Sequence, residues 1–314
     1  MFADRKQAVA FALLGLVMVF WAGNSIVARA VRLDVPPFTL AFVRWAGASL
    51  ALAPFAIRPL LQDRQALRAG WKPVLLLGVL GVGAFNGLLY SGLQYTTASN
   101  ALLLQAATPA AVVLLDRLFF RVLSPLWQNL GVLASILGVA VIVFQGDLAH
   151  VVNLHFGFGD GLILCSVLVW SLYTVLLRLR PDVSPITFVA VTFFIGVVTM
   201  APFAAWEWRA GDPVNWRPGV IAAFLYVSLL PSLLSYFIFN YATDVVGPAR
   251  AGQAITLMPL FGAFLSSMLL GERLYPYHFV GMALILAGIV LGAMAGRGKE
   301  AAGADGGRPL EDRA

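Results

Sequence analysis

WAGNSIVARAVRLDVPPFTLAFVRWAGASLALAP, residues 21–54, returns in outline as WSLYTVLLRLRPDVSPITFVAVTFFIGVVTMAP, residues 170–202. Trp21 and Arg29 recur as Trp170 and Arg178, 149 positions on. Asp34, Val35, Pro37 and Thr39 recur as Asp182, Val183, Pro185 and Thr187, and Pro54-Phe55-Ala56 as Pro202-Phe203-Ala204, now 148 positions on. One residue has dropped out between the blocks, in what reads as a loop. A fainter second part follows. Gln94-Tyr95 matches Asn240-Tyr241, Thr108-Pro109 matches Met258-Pro259, and Leu123-x-Pro125 matches Leu274-x-Pro276, with Gly131 and Gly138 answering to Gly281 and Gly288. The chain therefore reads as two related halves.

Composition says where such halves can live. Of 314 residues, 60% are hydrophobic and 11% charged, with a mean hydropathy of +0.86; a soluble chain carries about 25% charged residues. Bilayer hydrocarbon can accommodate that much apolar surface. The net charge of +6 does not point to nucleic acid, because 18 of the 21 basic residues are arginines scattered through short loops, the bias of membrane loops. The single Cys165 excludes an intramolecular disulfide and leaves too few thiols for a zinc-thiolate site. No metal and no cofactor is expected. The N-terminal apolar run is about 20 residues long, contains Trp and Asn and lacks a clear cleavage site, so it reads as a retained helix.

A spanning helix needs about 20 mostly apolar residues. Ten such runs stand out: 8–28, 36–57, 73–93, 98–119, 125–144, 157–178, 185–206, 218–241, 248–270 and 276–295. After Gly296 the chain turns to Gly, Ala and charge, and 297–314 is expected to be a disordered tail. With a cytoplasmic N-terminus, 15 Lys and Arg fall on the cytoplasmic side against 5 outside, with Arg44 inside a helix. Both termini are thus expected in the cytoplasm of an inner (plasma) membrane protein. Five runs repeat as five runs. Five is odd, so the second half enters the bilayer from the opposite face. The expected fold is all-α and integral to the membrane, with ten transmembrane helices as a five-plus-five inverted repeat: 1–145 the first, 146–156 an outer connecting loop, 157–296 the second. Inverted repeats recur in secondary transporters, which hold substrate near the midplane between the halves.

Ten short helices, the repeat, the membrane-embedded Pro259 and the run Gly271-Glu272-Arg273-Leu274-x-Pro276 resemble the EamA-type branch of the drug/metabolite transporter superfamily over about residues 8–295. Within it the chain looks most like the amino-acid exporters of the bacterial inner membrane, the aromatic amino-acid exporter in particular. The resemblance implies export of small amphiphilic metabolites by alternating access. One departure stands out. Where the second half has Glu272-Arg273, the first has Arg121-Val122, so only Glu272 carries over.

Polar groups in hydrocarbon are costly and point inward. Trp21 and Asn24 share a face of run 1, Asn86 and Tyr90 of run 3, Gln105 and Thr108 of run 4, and Trp170 and Tyr173 of run 6. Tyr236 in run 8 and Gln253 in run 9 complete a candidate cavity lining, with Trp21 and Trp170 as the leading pair. The alternative is that the amides form interhelical hydrogen bonds worth about 0.6 kcal/mol each and the rings are anchors or core. Arg44 is the one full charge well inside a helix. Either it snorkels to the outer interface or bonds helix-end carbonyls, or it attracts a substrate carboxylate, for which Arg suits better than Lys. Glu272 is expected to pair with Arg273 or cap backbone, in a structural or gating role. Pro109 and Pro259, read as lying inside helices 4 and 9, are expected to kink them as hinges. Small residues in runs 5 and 10 suggest close packing or a homodimer surface.

Two motifs are decoys. His155-x4-Asp160 fits an acyltransferase pattern but falls in a loop, and Gly78-x-x-Gly81-x-Gly83 has neither a preceding strand nor a following Lys for a phosphate loop. No paired acids, His cluster or nucleophile and base sit at mid-depth, so an enzyme is not expected. The expected function is export of amino acids, aromatic or other neutral, or of similar small metabolites. Drugs or nucleotide sugars are the alternative cargo, and a receptor or intramembrane enzyme the alternative class. Expected partners are the substrate and the lipid bilayer.

Overall fold

The computed structural model of the chain describes residues 2–105, 107–121, 126–143, 157–246 and 254–305. Among them all regular structure is helical. The first half comprises α1 (Phe2–Ala30), α2 (Pro37–Gln62), α3 (Arg64–Ala69), α4 (Trp71–Gly78), α5 (Phe85–Tyr95), α6 (Ala98–Gln105), α7 (Thr108–Phe120) and α8 (Leu126–Val143). The second comprises α9 (Phe158–Leu176), α10 (Pro185–Ala210), α11 (Pro218–Ser228), α12 (Ser235–Val246), α13 (Met258–Leu270) and α14 (Pro276–Asp305). Seven stretches are long and apolar enough to cross a bilayer, and three shorter apolar helices fall in runs 5, 9 and 10. Leu50, Phe55, Leu114, Leu118, Phe194 and Met268 lie more than 60% exposed on the outside, a surface suited to lipid and costly in water. The protein is a multi-pass membrane protein.

Several runs are not the plain helices that their periodicity suggests. α4 and α5 are joined by a π-helical turn, Val79–Ala84, and α11 and α12 by another, Leu229–Leu234. Run 4 is broken between α6 and α7, and run 9 holds a 3-10 turn, Ile255–Leu257, just before α13. These departures recur at one spacing. The π turns, the starts of α7 and α13, and the left-handed residues closing those helices, Arg121 (φ 53°) and Gly271 (φ 66°), are each 150 positions apart. The prolines must be placed differently from the expectation. Pro109 and Pro259 lie in the first turn of α7 and α13, not inside unbroken helices. There the absent N–H would have had no intrahelical partner, so they mark restarts. The end of the chain differs too. α14 runs through part of the expected disordered tail to Asp305, as its Ala, Lys and Glu allow.

The packing repeats with the elements. α2 lies along α10 and α8 along α14, while α5 and α7 pack on α9 as α12 and α13 pack on α1. Backbones approach closely where side chains vanish: a Cβ on Gly138 would meet the Gly281 carbonyl oxygen at 2.7 Å, which brings α8 against α14 through the small residues of runs 5 and 10. Gly78, Gly81 and Gly83 likewise admit Ile195, Tyr173 and Thr199; the glycine motif is a packing surface.

Helix ends are satisfied across the molecule. Glu207, on α10, accepts from the Phe38 and Thr39 backbone N–H groups (2.9 and 2.7 Å) and from the Thr39 hydroxyl, capping α2. Asp63, just past α2, accepts from the N–H of Ser184, the N-cap of α10, at 2.9 Å. The Thr187 hydroxyl and that Ser184 N–H hold the Asp63 carboxyl below its ordinary range. Glu272 accepts from the N–H groups of Ala98 and Ser99 (both 3.1 Å) and from the Ser99 hydroxyl (2.6 Å), so it caps α6. Carboxylates at helix N-termini satisfy orphan donors and face the positive end of the dipole.

Candidate functional site: a cationic cavity walled by aromatic rings

Arg44 is at the centre. It sits on the third turn of α2, 4% exposed, and its side chain does not snorkel. Nε donates to Ser232 Oγ at 2.6 Å. Nη1 lies 3.0 Å from Asn24 Oδ1, 2.9 Å from Asn86 Oδ1 and 2.8 Å from the Tyr90 hydroxyl. Nη2 has one acceptor, the Pro231 carbonyl at 3.5 Å. The guanidinium also lies 4.5 Å from the centroid of the Trp45 ring. Every acceptor is neutral, and among the described residues none of its partners is a carboxylate. Neutral acceptors can hold a buried charge in place but do not cancel it.

The π turn of the second half makes this arrangement possible. Wide turns free carbonyls from the helical ladder, and Pro231, inside Leu229–Leu234, offers its oxygen both to Arg44 and to Trp21 Nε1, at 2.9 Å. Ser232, on the same turn, accepts from Arg44 and donates to the Val227 carbonyl at 2.7 Å. α1, α2, α5 and the α11–α12 turn thus meet on one side chain.

Beside Arg44 lies a cavity with about 560 Å³ of unfilled space, including its mouth. Of the sequence-expected residues, Trp21, Asn24, Arg44, Asn86, Gln105, Thr108, Trp170 and Tyr236 line it. Trp21 and Trp170 stand edge to face at 6.4 Å, Tyr236 lies 6.3 Å from Trp21, and Phe85 packs on Trp170 at 4.8 Å. Two expected residues do not reach the lining. Tyr90 stands behind Arg44, its hydroxyl donating to Asn24 at 2.8 Å. Tyr173 is packed among Leu77, Val183 and Phe188 against the α4–α5 turn. Pro109 and Glu272 also lie off the lining, and Gln253 falls outside the described residues. Phe85, Leu89, Ser25, Ile255 and Met258 join the wall, and sequence reasoning passed over them. Ser25 carried a signal as a hydroxyl beside Asn24, whereas the apolar four are indistinguishable in sequence from core.

One wall of the cavity is α5, whose other neighbours face a larger hollow. Phe85, Asn86 and Leu89 border the cavity; Ala84, Gly87, Leu88 and Ser91 border the hollow, about 2260 Å³ including its mouth. The hollow lies at the end carrying the α1–α2 and α10–α11 connections, between two aromatic pairs: Phe38–Phe203 at 5.1 Å and Tyr95–Phe158 at 5.3 Å. At the opposite end, an Asp116–Arg178 ion pair ties α7 to the turn after α9. Among the described residues no cluster of His, Cys, Asp and Glu is suited to holding a metal.

A bundle of apolar helices around a buried polar cavity, with two half-sets of matching breaks, defines a membrane transporter. The EamA-like transporter family model matches the chain twice, over residues 8–144 and 157–294, and the chain belongs to that family. It is 31% identical over 285 residues to an uncharacterised transporter of Archaeoglobus fulgidus, covering 89% of this chain and 95% of that one. It is 25% identical to the Bacillus subtilis uncharacterised transporter YyaM, over 72% and 74% of the two chains. It is also 25% identical to a WAT1-related protein of Arabidopsis thaliana, over 87% and 82%. A solved crystal structure superposes with a TM-score of 0.63 over 93% of this chain and 99% of its own at 17% identity, a likeness of fold.

Proposed function

We propose that this protein is a secondary transporter that exports a carboxylate-bearing metabolite, an amino acid or a molecule of similar size, from the cytoplasm across the inner membrane. The single observation that carries this reading is Arg44, buried beside the cavity with five neutral acceptors and no carboxylate partner among the described residues. A substrate carboxylate supplies the missing negative charge and leaves with it, so the site is suited to binding and release. The aromatic walls of Trp21, Trp170, Phe85 and Tyr236 hold the apolar part. The 150-residue spacing of the π turns and helix breaks supports ten spans in two inverted halves, and with them alternating access around this cavity. The excess of Lys and Arg on one side supports cytoplasmic termini. The large hollow then faces outward and is the exit route.

Purified protein in liposomes should take up labelled neutral amino acids and related carboxylates saturably, without a pH gradient. Arg44→Ala should abolish uptake and Arg44→Lys should retain a fraction, since a point charge replaces a planar fork. Unchanged uptake of every carboxylate by Arg44→Ala would remove the basis of the proposal, and uptake driven uphill by a proton gradient would show proton coupling in place of uptake down the substrate's own gradient.

A further inference from the structure

The polar groups of the cavity are unequal in kind, and the inequality narrows the cargo of the transporter reading, on which this inference rests. The two asparagine oxygens that could receive a substrate's positive end each already accept from Arg44. Asn24 Oδ1 accepts from both Arg44 and Tyr90, and Asn86 Oδ1 accepts from Arg44. The Asn86 amide N–H donates to the Val82 carbonyl at 3.1 Å. What remains beside Arg44 can donate: Nη2, whose one neighbour among the described residues stands at 3.5 Å, the Asn24 amide N–H2, and the Ser25 hydroxyl, which can also accept. Ser25 is 1% exposed, its Oγ has no hydrogen-bond partner among the described residues, and it lines the cavity. A buried hydroxyl without a partner is unusual and costly; a carboxylate oxygen between it and Nη2 would satisfy both. Farther along the wall, Gln105 Nε2 turns back to the Ala101 carbonyl at 3.3 Å, which leaves one amide oxygen in the described lining. Among the described residues no carboxylate lines the cavity. An ammonium group would be repelled by the guanidinium, the more so where the ligand brings no carboxylate of its own, and would meet only neutral amide and hydroxyl acceptors; a buried cation so paired is disfavoured.

We infer that the cavity selects an organic monoanion, a carboxylate on a flat apolar body with no positive charge of its own, and that Ser25 is a substrate-positioning residue that acts with Arg44. An aromatic acid fits this description better than the amino acid of the same skeleton. The ring lies among Trp21, Trp170 and Phe85, and the carboxylate bridges Nη2 and Ser25.

Three probes share one skeleton and differ in charge: 3-phenylpropionate, L-phenylalanine and phenethylamine. Binding to the purified full-length protein in nanodiscs, and uptake into liposomes, should favour 3-phenylpropionate over L-phenylalanine by about tenfold or more, with no uptake of phenethylamine. Ser25→Ala should weaken 3-phenylpropionate by about tenfold while leaving the melting temperature unchanged or raised, because the buried hydroxyl it removes has no partner among the described residues of the empty protein. L-phenylalanine taken up as well as or better than 3-phenylpropionate, and still dependent on Arg44, overturns this inference and leaves the transporter reading intact. Uptake of phenethylamine in preference to either acid overturns both. Uptake of none of the three overturns the aromatic-acid assignment. Unchanged 3-phenylpropionate affinity in Ser25→Ala removes Ser25 from the site.

Discussion

Arg121 and Gly271, rather than Arg121 and Glu272 as the sequence alone pairs them, stand at the same place in the two halves and do the same thing with different chemistry. Each closes a helix in the left-handed region, with φ of 53° and 66°. Glycine adopts that conformation freely, whereas a residue with a Cβ pays about 1 kcal/mol or somewhat more for it. Arg121 is exposed and at the end of α7. Arg121→Gly should therefore stabilise the protein by up to about 1 kcal/mol, read as a rise in detergent melting temperature, with transport unchanged. The opposite holds at Gly196, where a Cβ would stand 2.3 Å from Val82 Cγ1 and 3.2 Å from the Trp45 ring. Gly196→Ala should destabilise by about 1–3 kcal/mol, since the α4–α5 turn or the indole under Arg44 must shift. At this scale the sequence displays types and faces but not partners. The i, i+3 spacing of Trp21 with Asn24 and of Gln105 with Thr108 was enough to assign them to a candidate cavity wall. Nothing local shows that Arg44 would collect acceptors from α1, α5 and the α11–α12 turn, because those contacts span 20 to 188 positions of chain.

Elements were legible where length and hydropathy suffice, and illegible where hydrogen bonding is rerouted. Seven of the apolar runs are helical stretches long enough to span and the other three hold shorter apolar helices among the described residues, yet the π turns at Val79–Ala84 and Leu229–Leu234 have no composition of their own. Pro109 and Pro259 did signal an irregularity, but a proline kink and a helix restart are alike in sequence. Glu207 and Asp63 were equally silent, since a carboxylate near a helix end is ordinary until the neighbouring N-terminus is seen. The caps are testable in isolation. Glu207→Ala leaves the Phe38 and Thr39 N–H groups without their buried acceptor and should cost about 2 kcal/mol of stability. Asp63 has a pH signature. Its folded-state value is depressed, so its contribution is present above the unfolded carboxylate value of about 3.9 and is lost as pH falls through the lower folded one. Melting temperatures of the native protein and Asp63→Ala should differ near neutral pH and converge on acidification below about pH 4.

For the whole molecule, the orientation proposed from charge gives a direct test. With Cys165 replaced by Ser, single cysteines at Arg5 and Arg308 should react with an impermeant reagent only from the cytoplasmic face, and one at Asp212, after α10, only from outside. Labelling of the two ends from opposite faces would leave an odd number of crossings and remove the inverted repeat. The repeat itself was the most legible feature, because it is carried by residues with few substitutes: tryptophan, proline and glycine at fixed offsets.

The paired carboxylates that seal α2 and α10 have a mechanical meaning. Each helix has its beginning held near the other's finish, so the two form one beam fastened at both extremities. Sliding either by a single turn, about 5.4 Å, would tear both fastenings together. In the transport cycle proposed above, movement that admits or expels cargo is then cheapest as a tilt of the remaining helices about this beam, with Arg44, mounted on it, as the fulcrum's fixed charge.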